Sequence, residues 1–249
     1  MGDDRSVMTG GRRIGGVLFD KDGTLLDFRA TWLPAYRGVV AELAARAGGG
    51  AALAEELLRR GGYDPEADRF VADSPLLWAT NAVIAARWAE QPELASVHGV
   101  LEVVERHFND QDAYPPRPVG DVAALLGRLR GRGLRLGLAT MDSTAQAERT
   151  AVVLGIRHQL DFVAGSDGGF GLKPEAGMVL GFCAACGLAP AEVATVGDTA
   201  ADLAMARNAG CALAVAVLTG GTPSHVLAEL ADHVLADIHA LEAVLDLAD

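Results

Sequence analysis

The chain has 249 residues, of which 50% are hydrophobic and 22% are charged. Its 33 acidic residues outnumber its 21 Lys and Arg residues, which gives a formal net charge of −12. This composition is typical of a folded globular protein and excludes a disordered or fibrous chain. Because nucleic acids and anionic membranes are bound chiefly through Lys and Arg, the negative charge argues against both as partners.

The uncharged segments are too short to cross a bilayer. One of the longest, residues 176–191, contains three glycines and a proline, and it is shorter than the roughly 20 apolar residues that a membrane span needs. The N-terminus has no apolar segment of the kind found in secretory signals, and three cysteines do not indicate a disulfide framework. These features predict a cytoplasmic protein.

The first predicted strand is the apolar run 14–19, which ends at Asp20 and is flanked by glycine-containing turns. Residues 28–113 follow with apolar residues at helical spacing and without a convincing strand, so this span is predicted to be all-helical. The predicted helices within it are 30–47, 51–60, 75–89 and 94–109. A proline-rich segment at 115–118 then marks a boundary.

Beyond that boundary, short apolar runs alternate with helical segments. The predicted strands are 134–139, 162–164, 193–196, 212–217 and 234–235, and the predicted helices are 143–154, 175–187, 199–208, 222–230 and 238–247. This alternation is typical of an α/β fold with a doubly wound parallel (Rossmann-like) sheet. Since the helical span is far too long for an ordinary βα connection, we interpret it as an inserted cap. The predicted domains are an α/β core, 1–27 with 114–249, and a helical cap, 28–113.

Polar side chains follow several predicted strands, at the edge where open α/β sheets bind ligands. They are Asp20 and Asp22 after the first strand, Thr140 after the strand 134–139, Asp198 and Asp202 after the strand 193–196, and Lys173 in a loop that precedes a helix. The ends of parallel strands meet at one edge, so we expect these side chains to converge.

Four converging carboxylates require positive charge nearby. At about 5 Å and an effective dielectric near 20, each ionised pair repels by roughly 3 kcal/mol. Lys173 supplies one positive charge, and a hard divalent cation would supply two more. Oxygen ligands favour Mg²⁺, which commonly takes further oxygens from a substrate phosphate. The residues therefore predict Mg²⁺ as cofactor and a small phosphate ester as substrate. Both lysines of the chain, Lys21 and Lys173, lie in this predicted site.

Four segments in order resemble the motifs of the haloacid dehalogenase-like (HAD) superfamily. The run Phe-Asp-Lys-Asp-Gly-Thr-Leu at 19–25 resembles the first motif, and the second to fourth are matched by Thr140, Lys173 and Gly197-Asp198 with Asp202. A helical insert after the first motif is similar to the type 1 cap of phosphoglycolate phosphatases and β-phosphoglucomutases. The resemblance covers about 14–27 and 119–235.

The resemblance implies a role for the reacting groups. Asp20 would be the nucleophile that forms an aspartyl-phosphate. Asp22 would protonate the leaving oxygen and then deprotonate the hydrolytic water. Thr140 and Lys173 would bind the phosphoryl oxygens and offset the charge of the transition state.

The resemblance also implies the metal ligands. Asp20, Asp22 through its backbone carbonyl, and Asp198 would bind Mg²⁺. Asp202 would orient Lys173 or reach the metal through water, and Thr24 would fix the loop that carries Asp22.

The resemblance favours a Mg²⁺-dependent phosphatase of a small phosphomonoester such as phosphoglycolate, as a monomer or homodimer. Asp22 argues against a dehalogenase, because halide departure needs no proton donor. Two alternatives stay open: a phosphomutase of the β-phosphoglucomutase type, and a non-catalytic phosphate-binding module. The module would be expected to lack Asp20 or Asp22, and this chain has both.

Two residues depart from the family's motifs, and a third is a candidate for substrate specificity. Lys21 lies where the family often has an apolar residue, so its charge is expected to face the metal site or the cap. Met141 follows Thr140 where a small polar residue is common, and its thioether cannot donate a hydrogen bond to phosphate. Arg29, at the start of the predicted cap, is a candidate for binding a second anionic group of the substrate, such as a carboxylate.

Overall fold

The computed structural model describes residues 7–9, 12–71 and 74–245. The chain divides into two compact units, one formed by Met1–Asp27 with Pro116–Asp249 and the other by Phe28–Pro115. The predicted boundary at 113/114 differs from this division by two residues. Within the described ranges, no helix combines the length and the apolar character that crossing a bilayer requires.

The strands in chain order are β1 (Val7–Thr9), β2 (Arg12–Ile14), β3 (Gly16–Phe19), β4 (Tyr63–Asp64), β5 (Arg69–Phe70), β6 (Arg135–Ala139), β7 (Phe162–Ala164), β8 (Val193–Gly197), β9 (Leu213–Val217) and β10 (His233–Leu235). Six of them form a parallel sheet in the order β10-β9-β8-β3-β6-β7. The predicted parallel α/β architecture is thereby confirmed. β1 and β2 form a separate antiparallel pair.

The helices in chain order are α1 (Phe28–Arg46), α2 (Ala51–Arg60), α3 (Pro75–Trp78), α4 (Asn81–Ala89), α5 (Val100–Asn109), α6 (Val122–Gly131), α7 (Thr144–Val153), α8 (Gly177–Cys186), α9 (Ala200–Ala209), α10 (Ser224–Ala228) and α11 (Leu241–Val244). Short 3₁₀ turns lie at Pro92–Leu94, Arg157–Gln159, Pro190–Glu192 and Ile238–Ala240. Helix α6 was not predicted; the side chain of Asp121 caps it by accepting a hydrogen bond from the Ala124 amide.

The central strand β3 is buried on both faces of the sheet. Val17 and Phe19 pack in one apolar cluster with α6, α7 and α11, whereas Leu18 packs in another with α8 and α9. Successive side chains of a strand point to opposite faces, so this split places helices on both sides of the sheet. The arrangement brings the carboxyl ends of β3, β6 and β8 to one edge.

Among its described residues, the Phe28–Pro115 unit contains α1 to α5 and one antiparallel hairpin of two-residue strands, β4–β5, which the prediction of an all-helical span did not include. Tyr63 lies opposite Phe70 in the hairpin, and their rings contact at 5.2 Å between centroids. Such aromatic cross-strand pairs stabilise short antiparallel strands. Gly62 precedes the hairpin with φ of 103°, a conformation that ends the helical run.

Two predicted helices of this unit are shorter than expected. The predicted helix 75–89 is divided into α3 and α4, because Thr80 begins a new helix by accepting a hydrogen bond from the Val83 amide. The predicted helix 94–109 starts only at Val100, after Gly99 in the left-handed region. Capping residues inside an apolar repeat therefore mark boundaries that the repeat alone does not reveal.

A charge cluster joins α1 to α5. The Glu42 carboxylate accepts hydrogen bonds from Arg106, His107 and Arg46, and the Arg106 bond contributes most to lowering the pKa of Glu42 to about 2. A carboxyl group with a depressed folded-state pKa stabilises the protein above its unfolded pKa, near 4.5, and loses that contribution as the pH falls toward 2.

We expect Glu42→Gln to lower the free energy of unfolding by about 1–2 kcal/mol at pH 7, after discounting for partial exposure. Urea denaturation at pH 7 and pH 3 measures the effect, which should shrink at the lower pH. Glu56→Gln is the matched control, because Glu56 pairs with Arg59 and Arg60 on an exposed surface and should change stability less. Equal losses in both variants would contradict this prediction.

Candidate active site

The loop after β3 is held by its own backbone. The Asp20 amide donates to the Val196 carbonyl at 2.8 Å, which fixes Asp20 at the end of the strand. The Lys21 carbonyl accepts from the amides of Leu25 and Leu26 at 3.0 and 2.9 Å, which closes a tight turn. Asp20 and Asp22 therefore lie on a loop whose shape is set by main-chain hydrogen bonds.

Gly23 allows Asp198 to approach this turn. Its φ is 84°, and a Cβ atom at this position would lie 2.4 Å from Asp198 Oδ2. Asp198, at the end of β8, also accepts a hydrogen bond from Thr24 Oγ1 at 3.3 Å. Thr24 was predicted to fix the loop that carries Asp22. In the structure its hydroxyl group binds that loop to Asp198.

Lys173 is buried between two carboxylates. Its Nζ atom donates to Asp202 Oδ1 at 2.6 Å and to Asp20 Oδ1, and its side chain is 2% exposed. Burial lowers the pKa of Lys173, but Asp20 and Asp202 outweigh that effect and raise the pKa above its usual value. Lys173 is therefore a cation held at the predicted reaction centre.

Asp202 uses both carboxylate oxygens within the protein. Oδ2 accepts from the Thr199 amide at 3.0 Å and from the Thr199 hydroxyl at 2.5 Å, while Oδ1 accepts from Lys173. Its place in the first turn of α9 follows from this mutual capping with Thr199. The contacts fit the predicted role of orienting Lys173.

Three carboxylates form a candidate metal centre. One oxygen each from Asp20, Asp198 and Asp202 lies within 4.8 Å of the others. Burial raises the pKa of Asp20 to about 7, helped by Asp202 and opposed by Lys173, and burial likewise raises the pKa of Asp198. Crowded, buried carboxylates of this kind suit a hard divalent cation, since its charge would favour their ionised forms. Asp20 and Asp198 therefore fit Mg²⁺ as carboxylate ligands, whereas both oxygens of Asp202 are already bound by Lys173 and Thr199.

Thr140 lies at the end of β6, where its amide donates to the Ala164 carbonyl at 2.9 Å. Its hydroxyl oxygen accepts from the Asp142 amide at 3.2 Å, so the hydroxyl proton can still be donated to another group. Met141, between the two, is partly exposed. This geometry leaves Thr140 able to contact a phosphoryl oxygen.

Lys21 is bound by two carboxylates. Its Nζ atom lies 2.8 Å from Asp22 Oδ2 and 3.0 Å from Asp142 Oδ2, and its side chain is 3% exposed. Burial lowers the pKa of Lys21, but both carboxylates outweigh it and raise the pKa above its usual value. Its charge was expected to face the metal site or the cap; the ammonium group is buried against Asp142 and against Asp22, whose backbone carbonyl is a predicted metal ligand.

One part of the site was missed in the sequence. Thr219 and Gly220 follow β9, and Thr219 Oγ1 donates to the Gly23 carbonyl at 2.6 Å. A Cβ atom on Gly220 would lie 1.7 Å from Asp198 Oδ2, so any other residue here would displace the Asp198 side chain. The sequence contained a signal for this part of the site, because Thr219 and Gly220 follow the predicted strand 212–217 just as the other site residues follow their strands.

Arg29 lies in the other unit, on α1. Its guanidinium forms an ion pair with the Asp68 carboxylate and donates to the Asp68 carbonyl at 3.1 Å, and its side chain is 50% exposed. A substrate anion would have to compete with Asp68 for this group. The suggested role of Arg29 in specificity stays a prediction.

The comparisons with known proteins agree with one another. A model of haloacid dehalogenase-like hydrolases matches residues 14–210. A phosphoglycolate phosphatase from Chromobacterium violaceum is 32% identical over 235 residues, which cover 92% of this chain and 97% of that protein. An N-acetylmuramic acid 6-phosphate phosphatase from Pseudomonas putida is 27% identical over 199 residues, which cover 80% of each.

The fold is similar to that of a solved structure from the same family. The structure of a haloacid dehalogenase-like hydrolase from Streptococcus pneumoniae matches with a TM-score of 0.69 at 20% identity, covering 92% of this chain and 97% of that one. Family match, sequence relatives and fold coincide with the order of the motifs along the chain. The chain therefore belongs to the haloacid dehalogenase-like hydrolase family, and within it to the phosphatases.

Proposed function

We propose that this protein is a Mg²⁺-dependent phosphatase that hydrolyses a small phosphomonoester, phosphoglycolate or a close analogue, through an aspartyl-phosphate. The observation that carries the proposal is the buried contact of Lys173 with both Asp20 and Asp202, beside Asp198. A non-catalytic module has no need of a nucleophilic carboxylate paired with a lysine at the carboxyl end of a strand.

The first half-reaction transfers the phosphoryl group to the protein. A carboxylate oxygen of Asp20 forms a bond to phosphorus while the bond from phosphorus to the ester oxygen breaks. Asp22 donates a proton to that oxygen, so the product leaves as an alcohol. Lys173 and Thr140 bind the phosphoryl oxygens and stabilise the negative charge of the transition state.

The second half-reaction restores the enzyme. Asp22, now ionised, takes a proton from water, whose oxygen attacks phosphorus and releases Asp20 and inorganic phosphate. Asp20, Asp198 and the Asp22 backbone carbonyl would hold the Mg²⁺, with Asp202 keeping Lys173 in place. When bound, the ion offsets the charge of the phosphoryl group and of the carboxylates.

Phosphoglycolate is favoured as the substrate because the relative with that activity in its name matches nearly the whole chain.

The first test measures phosphate release with and without metal. We expect release from 2-phosphoglycolate in Mg²⁺ and none in EDTA, with activity restored by added Mg²⁺. Mg²⁺ alone should raise the thermal midpoint, because an ion at about 100 times its dissociation constant stabilises the folded state by about 2.7 kcal/mol. Undiminished release in EDTA, or an unchanged midpoint, would rule out the metal site.

The second test separates the alternatives by substrate. A panel should include N-acetylmuramic acid 6-phosphate and several sugar phosphates, because a higher kcat/KM for one of these would reassign the substrate. A sugar bisphosphate incubated with its monophosphate isomers tests the mutase, since only a mutase exchanges the isomers without net phosphate release. Absence of phosphate release from every ester would refute the phosphatase.

A further inference from the structure

We propose that Lys21 is a positioning residue: its ammonium group holds the Asp22 carboxylate in the orientation that proton transfer requires, by binding it to Asp142. The inference deepens the proposed function and rests on it, because Asp22 can transfer a proton only if an ester is cleaved beside it. It assigns a task to the second lysine of the chain, which the phosphatase mechanism above does not use.

The distances and exposures define the arrangement. Lys21 Nζ lies 2.8 Å from Asp22 Oδ2 and 3.0 Å from Asp142 Oδ2. The side chain of Lys21 is 3% exposed, against 21% for Asp22 and 28% for Asp142. The ammonium group therefore lies beneath two carboxylates that are themselves accessible, and Asp22 is held on one side and reachable on the other.

The turn that carries Asp22 is closed by main-chain hydrogen bonds, which the Leu25 and Leu26 amides donate to the Lys21 carbonyl. Asp142 is fixed separately, through the bond from its amide to Thr140 Oγ1. Lys21 thus links the loop of the proton donor to the loop of a phosphate-binding residue, and it fixes a side chain rather than a backbone.

Two simpler roles fit the geometry less well. A phosphate ligand should lie beside the nucleophile, as Lys173 does through its bond to Asp20, whereas the Lys21 ammonium group contacts Asp22 and Asp142. A purely stabilising role is disfavoured because a buried ion pair is often no more stable than apolar residues of similar volume. The remaining consequence of the contact is the orientation of Asp22.

The test compares leaving groups in the Lys21→Met variant, whose side chain has similar length but no charge. An alkyl phosphate such as 2-phosphoglycolate needs a proton on its leaving oxygen, whereas 4-nitrophenyl phosphate does not. We expect the first-turnover rate to fall about 10- to 100-fold with the alkyl ester, as for a misplaced general acid, and much less with the aryl ester. The KM values and the inhibition constant of inorganic phosphate should change little.

Two variants serve as references. Both Asp22→Asn and Asp142→Asn should lower the first-turnover rate more with the alkyl ester than with the aryl ester. Compared with Lys21→Met, the rate should fall further in Asp22→Asn and less in Asp142→Asn. Lys173→Met should instead weaken the binding of inorganic phosphate, which isothermal titration calorimetry measures without any need for activity.

Three outcomes would overturn the inference while the wild type remains active: equal losses with both esters, weaker phosphate inhibition in Lys21→Met, or no change in that variant. A wild type that releases phosphate from neither ester would refute the proposed function itself.

Discussion

The Asp20→Asn variant is expected to lose phosphatase activity by at least about 10⁴-fold while keeping its fold, as enzymes do when a nucleophile is removed. The amide has the shape of the carboxylate but cannot attack phosphorus. It would still accept a hydrogen bond from Lys173, whose second partner, Asp202, remains in place. Phosphate release measured at saturating substrate and Mg²⁺ gives the size of the loss.

The thermal midpoint of the same variant separates chemistry from unfolding. Burial raises the pKa of Asp20 from 3.8 to about 7, so the metal-free folded protein binds more protons than the unfolded chain between these values. The free energy of unfolding contributed by this group therefore falls as the pH rises from about 4 to 7.

The uncharged side chain of the Asp20→Asn variant avoids that loss of stability. In EDTA at pH 8, the thermal midpoint of Asp20→Asn should be at least as high as that of the wild type. The difference between the two midpoints should narrow near pH 4. A clearly lower midpoint at pH 8 would mean that inactivity reflects damage to the fold.

The strand pattern predicted the architecture well because the sheet is parallel and buried. Strands covered by helices on both faces are continuous apolar runs, and 193–196 and 212–217 lie within one residue of β8 and β9 at each end. The hairpin β4–β5 was missed for the opposite reason. Two-residue strands carry no period, and their pairing depends on the contact between Tyr63 and Phe70.

The part of the candidate site that depends only on strand ends converging at one sheet edge could be predicted from the sequence. Asp20, Asp198, Asp202 and Lys173 follow from strand ends and charge balance, and they lie together in the structure. The contacts of Lys21 with Asp22 and Asp142 could not be predicted, because they depend on the directions in which the side chains point. A sequence pattern does not specify those directions. A positive charge beside two aspartates looks the same in sequence whether it faces substrate or supports a carboxylate.

Lys173→Met is expected to remove both activity and stability. The variant leaves the carboxylates of Asp20 and Asp202 buried and facing each other without a cation, with Asp198 beside them. Removing one partner of a buried ion pair typically costs about 3–5 kcal/mol. Urea denaturation in EDTA at pH 8 measures this loss, and phosphate release in Mg²⁺ should become undetectable because the phosphoryl oxygens lose their cation.

The double variant Lys173→Met with Asp202→Asn distinguishes the two effects of the lysine. Removing the second charge relieves the repulsion, so part of the lost free energy of unfolding should return, whereas activity should not. Acid should act similarly on the single variant, because protonation of the remaining carboxylates removes the same repulsion. Recovery of phosphate release together with stability would show that Lys173 only holds the site together, and that the cation opposite the phosphoryl group is supplied entirely by the metal.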